Sequence, residues 1–276
     1  MGKKPDFKET ISLQQYRGAI EFLQTHLQLL DASLLQTIKT LKGMTDQEKI
    51  ISSALGLDAS KYNRLNHPTR QHNVIIRHSQ KKNIEFAILR LFNLFTDYLR
   101  GATKEMFYKN PMLVVGKAVI NRNGEDKENT TMTYAEIVRL GNYERLQEKI
   151  ISNIFRSIEE QKSTNKLLEK ILKDTKVSIP DKVTTDALIY LEMRHLFVHN
   201  QGKVDHKYAQ QYGVNFTPHL KENSELPAKF ETFAIALIAV TKLVTTIDSQ
   251  LINNGMVGKR EIKSAGLNRQ SDISNV

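Results

Sequence analysis

Cysteine and tryptophan are both missing from this chain of 276 residues. Without cysteine there is no disulfide, no thiolate metal site and no thiol nucleophile, and a reducing compartment fits that composition. The N-terminal stretch MGKKPDFKETISLQQY has neither an apolar core region nor a cleavage-site pattern, so a secretory signal is not expected. Long hydrophobic runs are also lacking. The longest, FAIALIAVTKLV from Phe233 to Val244, is interrupted by Lys242 and falls short of the ~20 residues that a membrane-spanning helix needs. It reads as a core helix. A soluble, cytoplasmic protein without membrane association is the expectation. Phosphate-binding glycine loops, an RRM-type aromatic signature and a G-x-S-x-G elbow are absent as well.

What is present is basic charge. Forty Lys and Arg stand against thirty Asp and Glu, a net charge of +10 with a pI near 9.5. Such a chain attracts polyanions, nucleic acid above all, although net charge also serves solubility. Hydrophobic residues at 40% and charged residues at 25% suit a globular protein, and the length allows a sizeable core.

The hydrophobic pattern is mainly helical. Residues 10–42 carry a stripe of Ile20, Leu23, Leu27, Leu30, Leu34 and Ile38, with a candidate break near Asp31-Ala32-Ser33. Thr45-Asp46-Gln47-Glu48 resembles a cap opening a short helix that ends near Gly56. Residues 61–82 hold three histidines and six Lys or Arg, and Pro68 bars a continuous helix there. From about Ile84 to Leu99 a helix is predicted to be apolar on most sides, hence central. PMLVVGKAVINRNGEDKENTTMT, residues 111–133, predicts a short β-hairpin or loop insertion, since Asn123-Gly124 is a hairpin signal. Helices are further predicted over Tyr134–Leu140, closed by Gly141, and from about Tyr143 to Lys173, with a polar middle that is either a solvated face or a break. Two more are predicted over Val183–Asn200 and Phe230–Ile252. Beyond Gly255 the polar composition reads as a mobile tail, 256–276.

Polar side chains cluster at the end of the helix before Gly202, in RHLFVHNQGKVDHKY. Four readings are open. Histidines near a helix C-terminus are mildly favoured by the dipole. His195 and His199 have the i, i+4 spacing of metal ligands, with His206 a candidate third, although no Glu sits between the pair as in H-E-x-x-H. Histidine titrates near neutrality and arginine grips phosphate through parallel hydrogen bonds, so the pair also suits phosphodiester cleavage without a metal. Finally, the same groups could bind RNA or a nucleotide without cutting it. Arg194 and His199 are five positions apart, about 140° of rotation and about 7.5 Å of rise, so an ideal helix does not place them on one face.

The run Arg194-His-Leu-Phe-Val-His199 resembles the R-x4–6-H motif of HEPN domains, all-α domains of prokaryotic toxin and phage-defence systems. An Arg followed by a polar residue matches Arg194-His195, and His199-Asn200 followed by Gly202 and Val204-Asp205 is similar to the VHN-x-G-x-V-D continuation of some branches. The resemblance implies an all-α, HEPN-like helical bundle over residues 61–255, with 1–60 as an N-terminal helical extension. It also implies a metal-independent endoribonuclease, active as a homodimer whose composite site takes Arg and His from both chains, with no cofactor. Attack of the ribose 2′-OH would leave a 2′,3′-cyclic phosphate and a 5′-OH. His199 is then assigned to proton transfer, Arg194 to the charge on the phosphate oxygens, and His195 to orientation or RNA contact, with Asn200 a positioning candidate. Glu192 could pair with Arg194 or His195. RNA is the implied partner, an antitoxin or regulatory protein a further one. Arg64, His67, Arg70, His72, Arg77, His78, Lys81 and Lys82 either supply part of an RNA-binding surface or form a solvated loop, and both readings stay open. The alternative is a non-catalytic HEPN-like module that binds RNA, nucleotide or a partner protein.

Overall fold

A computed structural model describes residues 8–110, 134–159, 164–172, 175–258 and 260–261. The fold is all-α. Among the described residues the helices are α1 (Ile11–Lys42), α2 (Ile51–Ala54), α3 (His72–Lys109), α4 (Tyr134–Leu140), α5 (Tyr143–Glu159), α6 (Thr164–Leu172), α7 (Asp181–His199), α8 (His206–Tyr212) and α9 (Phe230–Asn253). A two-residue antiparallel ladder joins β1 (Lys8–Glu9) to β2 (Arg260–Glu261). The predicted insertion at 111–133 lies outside the described residues, as does most of the polar tail.

The chain divides into two compact units, and α1, α3 and α9 contribute residues to both. The termini-bearing unit comprises 1–16, 97–180 and 243–276; the motif-bearing unit comprises 17–96 and 181–242. In the first, Leu13, Tyr98, Met106, Phe107, Val244 and Ile247 are buried. Gly101 lies inside α3 in this unit because a Cβ there would collide with the Ser12 side chain. In the second, α7 buries residues on nearly every side, from Val183 through Phe197. A further cluster packs Leu41 of α1, Ile51 of α2 and Ile76 of α3.

Several boundaries differ from the sequence reading for identifiable reasons. α1 runs without a break through Asp31-Ala32-Ser33, because none of those residues bars a helix and the stripe continues to Leu41. Asp46 caps a turn rather than a helix: its carboxylate accepts from the Glu48 and Lys49 N–H groups, and α2 begins only at Ile51. α3 starts twelve residues before the expected position (84 − 72), as Ile76 anchors the polar stretch to the Leu41–Ile51 cluster. It also continues past Leu99, with Ala102, Met106 and Phe107 buried. Between α5 and α6, residues 160–163 of the polar middle lie outside the described residues, whereas Glu159 ends α5 and Thr164, Asn165 and Lys166 open α6. α9 matches its expected span, although at 24 residues it is long and apolar enough to cross a membrane by length and composition. Half of its most apolar window is buried inside the protein, including Phe233, Ala236, Val240 and Leu243.

Candidate nucleic-acid interface at the end of α7

The end of α7 is set by its own backbone. The N–H groups of Asn200 and Gly202 both donate to the Leu196 carbonyl, at 2.9 Å each. Gln201 and Gly202 then take positive φ values of 53° and 76°. The Lys203 N–H donates to the Asn200 carbonyl, and the Asn200 side-chain amide donates to the Lys203 carbonyl at 2.8 Å. Glycine is required at 202 on two counts: the left-handed φ, and the Phe197 ring 3.3 Å from where a Cβ would lie.

The chain leaves this turn in a short antiparallel pairing, with Val204 exchanging backbone hydrogen bonds with Ser224 and Asn223, and Leu226 donating to Gly202. Val204 is fully buried. Asp205 caps α8 by accepting from the Tyr208 N–H at 2.7 Å, an N-cap of the usual kind. The buried Tyr208 hydroxyl donates to the Ile189 carbonyl of α7. Burial holds the Tyr208 phenol well above its ordinary pKa and, together with the charge of Glu192, pushes Tyr212 up to about 12. Both rings are therefore neutral packing groups at physiological pH. Asn200, Gly202, Val204 and Asp205 thus all have structural occupations.

Arg194, His195 and His199 do not share them. Arg194 is exposed, and its guanidinium lies over the Phe92 ring of α3, 4.4 Å from the centroid. That is a cation–π contact. The imidazoles of His195 and His199 lie side by side, centroids 4.8 Å apart and planes at 46°. His199 is exposed and His195 half-buried. Among the described residues neither ring has a hydrogen-bond or ion-pair partner. Val198, between Arg194 and His199 on the same open arc, is 52% exposed.

The metal-ligand grouping of His195, His199 and His206 does not assemble. His206 pairs instead with Glu222 at 3.2 Å, and no cluster of three or more metal-ligating side chains occurs among the described residues. α8 starts at His206 and faces a different loop, which sequence spacing could not reveal.

The basic segment is split between several jobs. Arg70 pairs with Glu48, Lys81 with Glu225, and Lys82 with Glu85, all at 2.6–2.8 Å. Arg64, His67 and His78 are exposed. His72 is buried at the start of α3, with Nδ1 against the Thr69 carbonyl and Nε2 without a partner among the described residues. Arg77 lines a cleft of about 410 Å³. Phe92, and the cleft side chains Gln80, Asn83 and Lys229, escaped the sequence reading. The signal for Phe92 was available: Arg77, Lys81, Ile84, Ile88 and Phe92 recur at helical spacing and form one face. No protein-family model matches the chain, and neither a curated protein nor a solved structure matches it.

Proposed function

We propose that the chain is a HEPN-like, metal-independent endoribonuclease. The observation that carries this reading is the His195–His199 pair beside Arg194, with His199 exposed and His195 half-buried, at a helix end where the neighbouring motif residues are all consumed by structure. In the proposed reaction His199 takes the proton of a ribose 2′-OH as its oxygen bonds to the adjacent phosphorus. The P–O5′ bond breaks, and the departing 5′ oxygen receives a proton. The products are a 2′,3′-cyclic phosphate and a 5′-OH. Arg194 stabilises the charge that grows on the phosphate oxygens, and His195 orients the site or contacts RNA. A net charge of +10 supports RNA as the substrate.

The wide arc between Arg194 and His199 favours a composite site shared by two copies of the chain, and the exposed Val198 supplies apolar surface for such a contact. A role as a toxin or phage-defence effector in the cytoplasm, held in check by an antitoxin or regulatory protein, accompanies this reading. The test is incubation of the purified protein with total RNA in EDTA, alongside Arg194→Ala and His199→Ala. Cleavage with cyclic-phosphate ends, lost in both variants, is expected; absence of cleavage, or equal cleavage by the variants, overturns the assignment.

One observation favours a second reading, a non-catalytic module that binds RNA, nucleotide or a partner protein. Arg194 is already engaged with Phe92. That reading expects binding that persists in both variants and no cyclic-phosphate product.

A further inference from the structure

The cleft beside the first half of α3 has the makings of a nucleotide subsite. Its volume, about 410 Å³, falls in the range of small-ligand pockets. Leu27 and Ile84, both buried, contribute an apolar floor, and Phe230 at the start of α9 adds a half-buried aromatic ring. Arg77 and Lys229 bring two cations to the same cleft, and Gln80 and Asn83 bring two side-chain amides. Among the described residues none of these four polar groups has a side-chain partner. A base stacks on an aromatic ring, a phosphate takes the cations, and amides hydrogen-bond to base edges; unpaired RNA is recognised in this way.

The cleft also carries Asp31 and Glu231. Carboxylates accept hydrogen bonds and do not donate. They therefore favour a base that presents ring N–H and amine donors side by side, as guanine does, and disfavour uracil, whose single N–H is flanked by carbonyls.

Position links the cleft to the end of α7. Arg77, Lys81, Ile84, Ile88 and Phe92 lie on one face of α3, about 22 Å from first to last. Phe92 carries Arg194 at one end of this face, Arg77 opens into the cleft at the other end, and Lys81, one turn from Arg77, binds Glu225. The loop that pairs with residues 202–204 continues directly into the cleft residues Ala228–Glu231.

We propose that this cleft is a specificity subsite for an unpaired guanine nucleotide of single-stranded RNA, several nucleotides from the bond cut at α7. The proposal rests on the ribonuclease reading only for its substrate. The experiment is fluorescence anisotropy at fixed salt with a His199→Ala protein, comparing a twelve-nucleotide all-uridine RNA with one carrying a single guanosine. Guanosine is expected to tighten binding; Phe230→Ala should weaken the guanosine RNA fivefold to hundredfold, and Asn83→Ala should weaken it as well, both with a smaller effect on the uridine RNA. Arg77→Ala, at an exposed position, should weaken both; Lys182→Ala, on the exposed start of α7, should weaken neither. Equal affinity for the two RNAs, or affinity indifferent to Arg77 and Phe230, overturns the proposal. So does saturable binding of free GMP with RNA affinity unmoved in the variants, which would make the cleft a free-nucleotide site. If instead the unmutated protein cuts no RNA in EDTA but shows cleft-dependent RNA binding, the catalytic reading fails and the subsite stands.

Discussion

The two units use some of their polar side chains differently. In the termini-bearing unit, Asp248 and Glu105 turn toward backbone and hydroxyl donors, while Lys104 and Glu148 pair at the surface. Asp248 of α9, 1% exposed, accepts from the Thr10 N–H, the Thr10 hydroxyl and the Tyr98 hydroxyl. Thr10 in turn caps α1 through the Leu13 N–H, and Glu105 accepts from both the N–H and the hydroxyl of Ser12. In the motif-bearing unit the ion pairs of Arg70, Lys81 and Lys82 lie at the surface, and the imidazoles at the end of α7 are left open. Buried polar groups hold a fold only when every partner is present. Groups available for chemistry must be reachable and unspent. The proposed chemistry is assigned to the second unit because the side chains at the end of α7 are not spent on holding the fold.

The sharpest way to break this comparison is His199→Ala. Loss of an acid–base group is expected to lower RNA cleavage by about 10²–10⁴-fold. Because the ring is exposed and has no hydrogen-bond partner among the described residues, the thermal midpoint should stay where it is. A large fall in that midpoint would make His199 structural and erase the difference between the units.

Asp248→Ala is the converse. It strips the partner from three donors beside α1, and an unsatisfied buried group costs about 1–3 kcal/mol. Urea unfolding should register that loss, while RNA cleavage at low temperature stays near the unmutated rate. Gly202→Ala tests the boundary between the two behaviours. It forces a side chain into left-handed backbone against Phe197, at about 1–2 kcal/mol, and should also disturb cleavage by moving the end of α7.

A pH dependence follows from Asp248. Burial raises its pKa above the ordinary 3.8, against the hydrogen bonds from Thr10 and Tyr98, with the nearby Glu105 charge adding to the rise. The folded state then holds this proton more tightly than the unfolded state does. Its contribution to stability is largest below the ordinary value and declines as pH rises through the raised one. Urea midpoints measured from pH 7 down to pH 4 should therefore improve for the unmutated protein relative to Asp248→Asn. The opposite slope would contradict the burial argument. The smallest effect is expected for Arg70→Ala: its pair with Glu48 is mostly exposed, so unfolding free energy should change by less than about 1 kcal/mol.

Much of the helical layout was legible because helix formation is a local affair. The stripe of Ile20, Leu23 and Leu27, the span of the last helix, and the stops at Gly141 and Gly202 each follow from residues within a turn or two of one another. Arg194, His195 and His199 stood out for the same reason, being close in sequence. The start of α3 was misplaced because its anchor, Ile76, packs against Leu41 and Ile51, which lie in other helices.

By itself, then, the sequence determined an all-helical protein with a net positive charge and a cluster of Arg and His at one helix end. Only tertiary structure decided what surrounds that cluster. Arg194 rests on Phe92, 102 positions away (194 − 92), and Lys81 meets Glu225 across 144. It sent His206 to Glu222 instead of to the other histidines, and it brought α1, α3 and the start of α9 together around one cleft. The physical reason is range: periodicity and capping are written in near neighbours, whereas which faces meet depends on packing among segments far apart in the chain.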